Sequence, residues 1–247
     1  MASELDFVIP VYNEGANILP VLESLKKEIR PPFRVLICYD SDDDDTLSAL
    51  REYDPATFEI LLVKNSYRRG PHGAVLSGFD ASTAPAVLMI PADDDYNAAA
   101  FQAMYDEFRR GYDIVCASRF IPGGCMENCP PIKAFLVRSA AFTLRHLAFL
   151  PTHDPTNGLR LFSRRVIETI AIESTEGFTY SIELLVKAHR MGWKISEVPV
   201  RWFERKKGQS RFRVFKWMLP YLRWYFYAFE TTYLRRKAGT VRLKAEA

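Results

Sequence analysis

Three consecutive carboxylates, Asp93, Asp94 and Asp95, follow the short apolar run Ala86 to Ile90 after a break at Pro91 and Ala92. An apolar run of this length bounded by proline reads as a buried parallel strand. The carboxylates then lie just beyond its carboxyl end, where open α/β sheets bind ligands. Asp93 and Asp95 stand two residues apart, so in an extended turn both point to one side and offer hard oxygen ligands to Mg²⁺ or Mn²⁺. Such an ion is normally shared with a phosphate. A D-x-D by itself is more often a solvated acidic turn, so the elements that position it decide its weight.

Those elements alternate. Leu5 to Pro10 reads as a strand, and the polar turn Val11-Tyr-Asn-Glu-Gly15 leads into an amphipathic helix over 16–29 with Ile18, Val21, Leu22, Leu25 and Ile29 at helical spacing. Phe33 to Tyr39 is a second strand ending at Asp40 and the run Asp42 to Asp45, whose charge suits the start of the next helix. Phe58 to Val63 is a third strand, and Gly70-Pro-His-Gly73 opens a helix to about Ala81. The strand ending at the carboxylates is followed by a helix over 98–110, a strand from Tyr112 to Ala117, and Ser118-Arg119 at the same rim. This rhythm predicts an α/β fold with a mostly parallel, Rossmann-like sheet flanked by helices. Asn13, Glu14, Asp40, Asp93 and Asp95 then share one rim, and a bound cation would relieve their mutual repulsion.

The chain has 247 residues, 48% of them hydrophobic and 26% charged, with a formal net charge of +3, an ordinary balance for a globular protein. Acidic residues crowd the first half, and Lys and Arg crowd 201–244, which makes the second end the candidate for phosphates or anionic lipid. Residues 132–150 predict a helix apolar around most of its circumference, carrying only Lys133, Arg138, Arg145 and His146 as charged or titratable groups. It reads either as a core helix or as one that touches lipid. A helix is expected over 177–191 and a strand over 193–202, followed by the basic loop 203–211. Residues 212–236 interleave Phe212, Phe215, Trp217, Tyr221, Trp224 and further aromatics with Arg213, Lys216, Arg223, Arg235 and Arg236. Pro220 interrupts that stretch, no run reaches the eighteen or so apolar residues of a span, and an interfacial amphipathic helix or a core-docked one with a basic outer face fits it. Stacking on single-stranded nucleic acid uses similar residues, but the carboxylate rim would repel a phosphate backbone. Cys38 and Cys116 fall inside strands and read as buried free thiols. Cys125 and Cys129 lack the further ligands that zinc needs. With no signal peptide ahead of the first strand, the expected location is cytoplasmic, peripheral on the inner face of the membrane.

With these residues in view, the chain resembles glycosyltransferase family 2 of the GT-A fold, and within it the dolichyl- or polyprenyl-phosphate sugar synthases. Val8-Ile-Pro-Val-Tyr-Asn-Glu14 resembles the family's nucleotide-contact motif, Ser118-Arg-Phe-Ile-Pro-Gly-Gly124 its S-R-x-x-x-G-G segment, and Glu204-Arg-Lys-Lys-Gly-Gln-Ser-Arg211 its R-x-x-G-x-S-K. The resemblance implies that Pro10, Tyr12 and Glu14 hold the nucleoside, that Asp40 accepts from the base, and that Gly70 and Gly73 let backbone approach the nucleotide. Asp93 and Asp95 would hold the ion against the diphosphate, with Asp95 counted among the catalytic groups. Arg119, Lys133, Arg205, Ser210 and Arg211 would bind phosphates or the acceptor. Asp154, in Asp154-Pro-Thr-Asn-Gly158, is the candidate base for a hydroxyl acceptor, and equally a turn-capping residue. The chain departs from the family pattern at Pro91, where an Asp is usual, and at Lys133 and Val137, where the synthases have Arg and Ser.

The expected activity is metal-dependent inverting transfer of a sugar from a GDP- or UDP-linked donor to a polyprenyl phosphate at the cytoplasmic membrane face, by a GT-A domain at 1–211 with an interfacial segment at 212–247. A saccharide or small-molecule hydroxyl acceptor, or a binding protein without turnover, are the alternatives.

Overall fold

The computed structural model describes residues 2–203, 214–234 and 241–246, with the side chains of 214–218 and 246 left aside. Leu5–Pro10 (β1) pairs in parallel with Phe33–Tyr39 (β2) on one side and Ala86–Met89 (β4) on the other, and Glu59–Lys64 (β3) pairs with β2. Ile114–Ser118 (β5), Arg160–Ser163 (β7) and Ile195–Pro199 (β8) complete a sheet of order β3-β2-β1-β4-β7-β5-β8. β7 runs antiparallel to both its neighbours, so the sheet is mostly parallel with one reversed strand. The expected strand over 193–202 breaks after Pro199: Val200 is held by Ser118 and Cys125, and Arg201–Phe203 (β9) leaves to pair with Cys125–Glu127 (β6).

The period-two geometry of strands divides the buried side chains between two faces. Leu5, Phe7 and Ile9 of β1 join Val35 and Ile37 of β2 in one core, under helices Ile18–Glu28 (α1) and Ala98–Arg109 (α4). Val8, Leu36 and Cys38 join the other, with Pro71–Ala81 (α3) and Thr179–Arg190 (α7). Desolvation there pushes the Cys38 thiol up to about 12, which keeps it an inert packing group. Asp45–Arg51 (α2) and Arg164–Thr169 (α6) are short connecting helices. At the amino edge of the sheet, burial works to raise the pKa of Asp6, yet hydrogen bonds from Arg34, Ser82 and Ser3 hold it below the usual carboxylate range. This ion pair ties β1 to β2 at the end opposite the site.

Pro131–His146 (α5) is not a core helix: only Ala141 and Leu144 are buried, while Ile132 and Phe135 are 77% and 70% exposed. Val214–Tyr233 (α8) docks beside it. Trp224 and Ala228 of α8 are buried against α7, where Arg190 donates to the Ala228 carbonyl (3.0 Å) and the Lys187 ammonium lies over the Trp224 ring. The opposite side of α8 leaves Leu219, Phe226 and Tyr233 exposed. Among the described residues no helix is long and apolar enough to cross a membrane.

Candidate active site

The carboxyl ends of β1, β2, β4 and β5 and the segment entering β7 meet at one rim. After β1, Asn13 takes a left-handed conformation (φ 50°), which Asn tolerates better than most residues. The turn is pinned by the start of α2. The backbone N–H groups of Asn13, Glu14 and Gly15 donate to Asp44 (3.1 Å), Thr46 (3.1 Å) and Asp45 (2.8 Å). Asp44 also caps α2 through Thr46 N–H, as expected for the acidic run. Asp42 is paired with Lys64 and Asp43 with Ser41. Internal donors thus answer much of the charge of this run. Tyr12 projects into solvent at the mouth of the site, with Pro10 and Glu14 half-buried behind it.

Asp40 accepts from Asn65 Nδ2 (2.6 Å) and from Gly70 N–H (2.9 Å), so it shapes the loop that enters α3. Gly70 has φ +118°, a region that L side chains rarely adopt. Gly73 has an internal reason for lacking a side chain: a Cβ there would sit 2.2 Å from the Arg68 carbonyl oxygen. Beside it, desolvation pushes the His72 imidazole down to about 4, against the opposing pull of Glu176. His72 Nε2 lies 3.1 Å from Ser174 Oγ.

The acidic turn after β4 is braced from below by residues that sequence reasoning did not single out. Asp94 is buried, 4% exposed, and Asn97 Nδ2 donates to both its oxygens at 2.9 Å. The same Nδ2 donates to the Arg201 carbonyl (2.9 Å), while Asn97 Oδ1 accepts from Arg201 N–H (3.0 Å). Desolvation pushes Asp94 up to about 7, the Asn97 hydrogen bonds opposing it and the neighbouring Asp93 adding to it. With the middle carboxylate turned inward, Asp95 is exposed and Asp93 half-buried. Two adjacent carboxylates fit Mg²⁺ or Mn²⁺, which commonly binds one or two carboxylates and completes its shell with phosphate and water. Among the described residues no three His, Cys, Asp or Glu side chains converge on a metal position. Tyr96 packs edge-on against Phe203, so the turn and β9 are joined by rings as well as by Asn97.

Across the rim, Asp154 is fully buried in a two-pronged ion pair. Arg119 Nε and Nη2 reach its two oxygens at 2.6 and 2.9 Å, and Arg119 N–H and Thr156 Oγ1 donate at 3.1 Å each. The pair fixes the loop entering β7, whose buried Arg160 donates to the Pro155 carbonyl (2.6 Å). Lys133, on the first turn of α5, lies 4.7 Å from the centre of the Trp202 ring on β9. Glu183 is buried, accepting from Lys187 (2.7 Å) and from Glu173 and Ser174 N–H. Arg205, Ser210 and Arg211, and the expected domain boundary at 211, lie outside the described residues. The structure thus gathers Tyr12, Glu14, Asp40, Asp93, Asp95, Arg119 and Asp154 along one sheet edge, with Lys133 reaching it through Trp202.

With the geometry in place, comparison decides the family. The model described as "Glycosyl transferase family 2" matches residues 6–171, a stretch that includes β1, β4 and the whole rim up to Asp154. The chain belongs to glycosyl transferase family 2. It is a glycosyltransferase, and within the family it resembles the polyprenyl-phosphate mannose synthases. It is 28% identical to the polyprenol monophosphomannose synthase of Mycolicibacterium smegmatis over 83% of this chain and 79% of that protein. It is 23% identical to the dolichol-phosphate mannosyltransferase of Pyrococcus furiosus over 89% of this chain and 62% of that one. A crystal structure of glucosyl-3-phosphoglycerate synthase from Mycobacterium tuberculosis superposes with a TM-score of 0.64 at 14% identity, covering 94% of this chain and 80% of that one. The shared architecture is the GT-A fold.

Proposed function

We propose that this glycosyltransferase moves a sugar from a GDP- or UDP-linked donor to the phosphate of a polyprenyl lipid, working as a peripheral protein on the cytoplasmic face of a membrane. The observation that carries the lipid acceptor is on α5. That helix holds Lys133 against Trp202 at the rim while exposing Ile132, Phe135 and Leu136, so a cation and an apolar surface meet at the edge of the site. The M. smegmatis relative, named for polyprenol monophosphomannose, supports the same acceptor class.

Pro10, Tyr12, Glu14 and Asp40 would take the nucleoside, with Gly70 and Gly73 shaping the loop beside it. Asp93 and Asp95 would hold Mg²⁺ or Mn²⁺, and the glucosyl-3-phosphoglycerate synthase structures obtained with Mn²⁺ or Mg²⁺ support a divalent ion. Bound there, the ion would neutralise charge growing on the departing diphosphate. A phosphate oxyanion is already a nucleophile near neutral pH, since its second pKa is about 6. The acceptor oxygen forms the new bond to the anomeric carbon as the bond to the diphosphate breaks, the nucleotide leaves with that electron pair, and configuration inverts. No proton has to be removed, which suits an Asp154 whose oxygens are engaged by Arg119 and Thr156. Asp154 then positions Arg119, and Arg119, Lys133, Arg205, Ser210 and Arg211 supply positive charge or donors for the phosphates.

A thermal-shift screen of GDP- and UDP-sugars with and without Mn²⁺ tests the donor side, because a ligand that binds only the folded state raises its apparent stability. A metal-dependent rise with one nucleotide class is expected, followed by transfer of its sugar to polyprenyl phosphate. Absence of stabilisation by every nucleotide sugar in the presence of Mn²⁺ would count against the proposal.

A further inference from the structure

Helix α5 carries a second cationic feature that the transfer reaction does not use. Arg138, Phe142 and Arg145 recur at i, i+4 and i+7, which puts them on one face over about 10 Å of helix. With His146 they line a cleft closed on its far side by Phe120 and His153. The space is about 190 Å³, several times the roughly 30 Å³ share of a water molecule, so an oxyanion with its first waters fits.

Among the described residues no carboxylate pairs with Arg138, Arg145 or His146. The Arg138 guanidinium lies 5.1 Å from the centre of the Phe120 ring, a contact to a ring face that uses no N–H donor. The His146 ring packs against Phe142 at a tilt of 42°, with ring centres 4.6 Å apart. Glu197, the nearby acid, is engaged by His153 Nδ1, His153 N–H (2.8 Å) and Thr152 Oγ1 (2.9 Å). The surroundings are apolar and open to solvent: Phe142 is 61% and Phe149 60% exposed, and Leu147 lies between the helix end and Phe149.

We propose that this cleft is a headgroup site for the phosphate of an anionic membrane lipid, separate from the acceptor position at Lys133. Guanidinium groups suit a phosphate oxyanion because their planar forks donate in pairs. The exposed phenylalanines beside them suit the acyl boundary just below such a phosphate. The inference rests on the membrane reading above and adds a chemical specificity that diffuse attraction between basic residues and an anionic surface does not have.

The test compares sedimentation of the purified chain with phosphatidylcholine vesicles carrying phosphatidic acid and with vesicles of the same surface charge carrying oleate. The choline phosphodiester of the matrix is common to both, and only the first adds a terminal phosphomonoester, the dianionic headgroup that two guanidinium forks suit. The wild type should bind the phosphatidic acid vesicles about tenfold more tightly, and Arg138→Gln with Arg145→Gln should abolish that preference. Lys26→Gln with Lys27→Gln removes equal charge from α1, on the other face of the sheet, and should keep it. Equal binding of the wild type to both vesicles, or a preference that survives in the arginine variant, overturns the site while leaving the membrane reading intact. Binding to neither vesicle overturns both. Stabilisation by inorganic phosphate that needs Arg138 and Arg145, without any preference between vesicles, assigns the cleft to a soluble phosphate and overturns the lipid source.

Discussion

Asn97→Ala removes the brace beneath the acidic turn, and its cost follows from the bonds it breaks. The Arg201 N–H and carbonyl each lose a partner, at about 0.5–1.5 kcal/mol apiece, and the buried Asp94 loses a donor to a charged group, at about 1.5–3 kcal/mol. The sum is about 2.5–6 kcal/mol, and at about 2–4 °C per kcal/mol for a chain of this size the midpoint should fall on the order of 10 °C. The functional effect should be separable. Asn97 does not reach the metal position, but it sets the orientation of Asp94 and therefore of Asp93 and Asp95. Loss of such a supporting hydrogen bond typically weakens metal affinity about 10–100-fold. Calorimetry would give the midpoint, and the Mn²⁺ dependence of transfer, measured well below that midpoint, would give the half-saturating concentration. A variant that melts within about 2 °C of wild type, with an unchanged Mn²⁺ requirement, would refute the reasoning.

Asp93→Asn and Asp95→Asn should each reduce transfer by at least about 10–100-fold with little change in thermal midpoint, and activity within about tenfold of wild type in both would remove the metal assignment. Asp154→Asn should destabilise the fold by about 3–5 kcal/mol, because it leaves Arg119 buried without its counter-charge, while the pH profile of the remaining activity keeps its shape. Lost turnover with an intact midpoint and intact donor binding would instead make Asp154 a general base. His72 is held near pKa 4 by burial, below its unfolded value of about 6.5, so its neutral ring favours the folded state. That contribution is complete above pH 6.5 and lost as pH falls toward 4, amounting to at most about 3 kcal/mol. Urea titrations between pH 7 and 4 should show a shallower acid loss for His72→Asn, and identical slopes would refute this.

The fold was legible where buried strands leave long apolar runs. Leu5 to Pro10, Phe33 to Tyr39 and the run into Asp93 were readable because parallel strands covered on both faces are nearly continuous in hydrophobic residues. The reversal of β7 was not, since four residues carry no mark of direction, and the break at Val200 depends on partners at Ser118 and Cys125 distant in the chain. Periodicity also left open what covers α5, because side chains facing lipid and side chains facing a core share one pattern. In the carboxylate run, composition could not distinguish Asp94, which turns inward, from Asp93 and Asp95. Asn97 before a helix reads as a cap, yet its side chain makes no cap bond and instead crosses to Arg201. Trp224, grouped by sequence with an interfacial stripe, is buried beside Lys187 and Arg223, so Phe226 and Leu219 are the residues of α8 with which to probe membrane contact.

The central claim is tested most directly by supplying one labelled nucleotide sugar to the full chain with two acceptors in parallel, a polyprenyl phosphate and the corresponding polyprenol, with Mn²⁺ or with EDTA. The acceptors differ only in the phosphate. The account predicts that label enters the organic phase with the phosphate acceptor alone and that EDTA abolishes it. Equal or faster labelling of the polyprenol, or transfer to the phosphate that persists in EDTA, would contradict it.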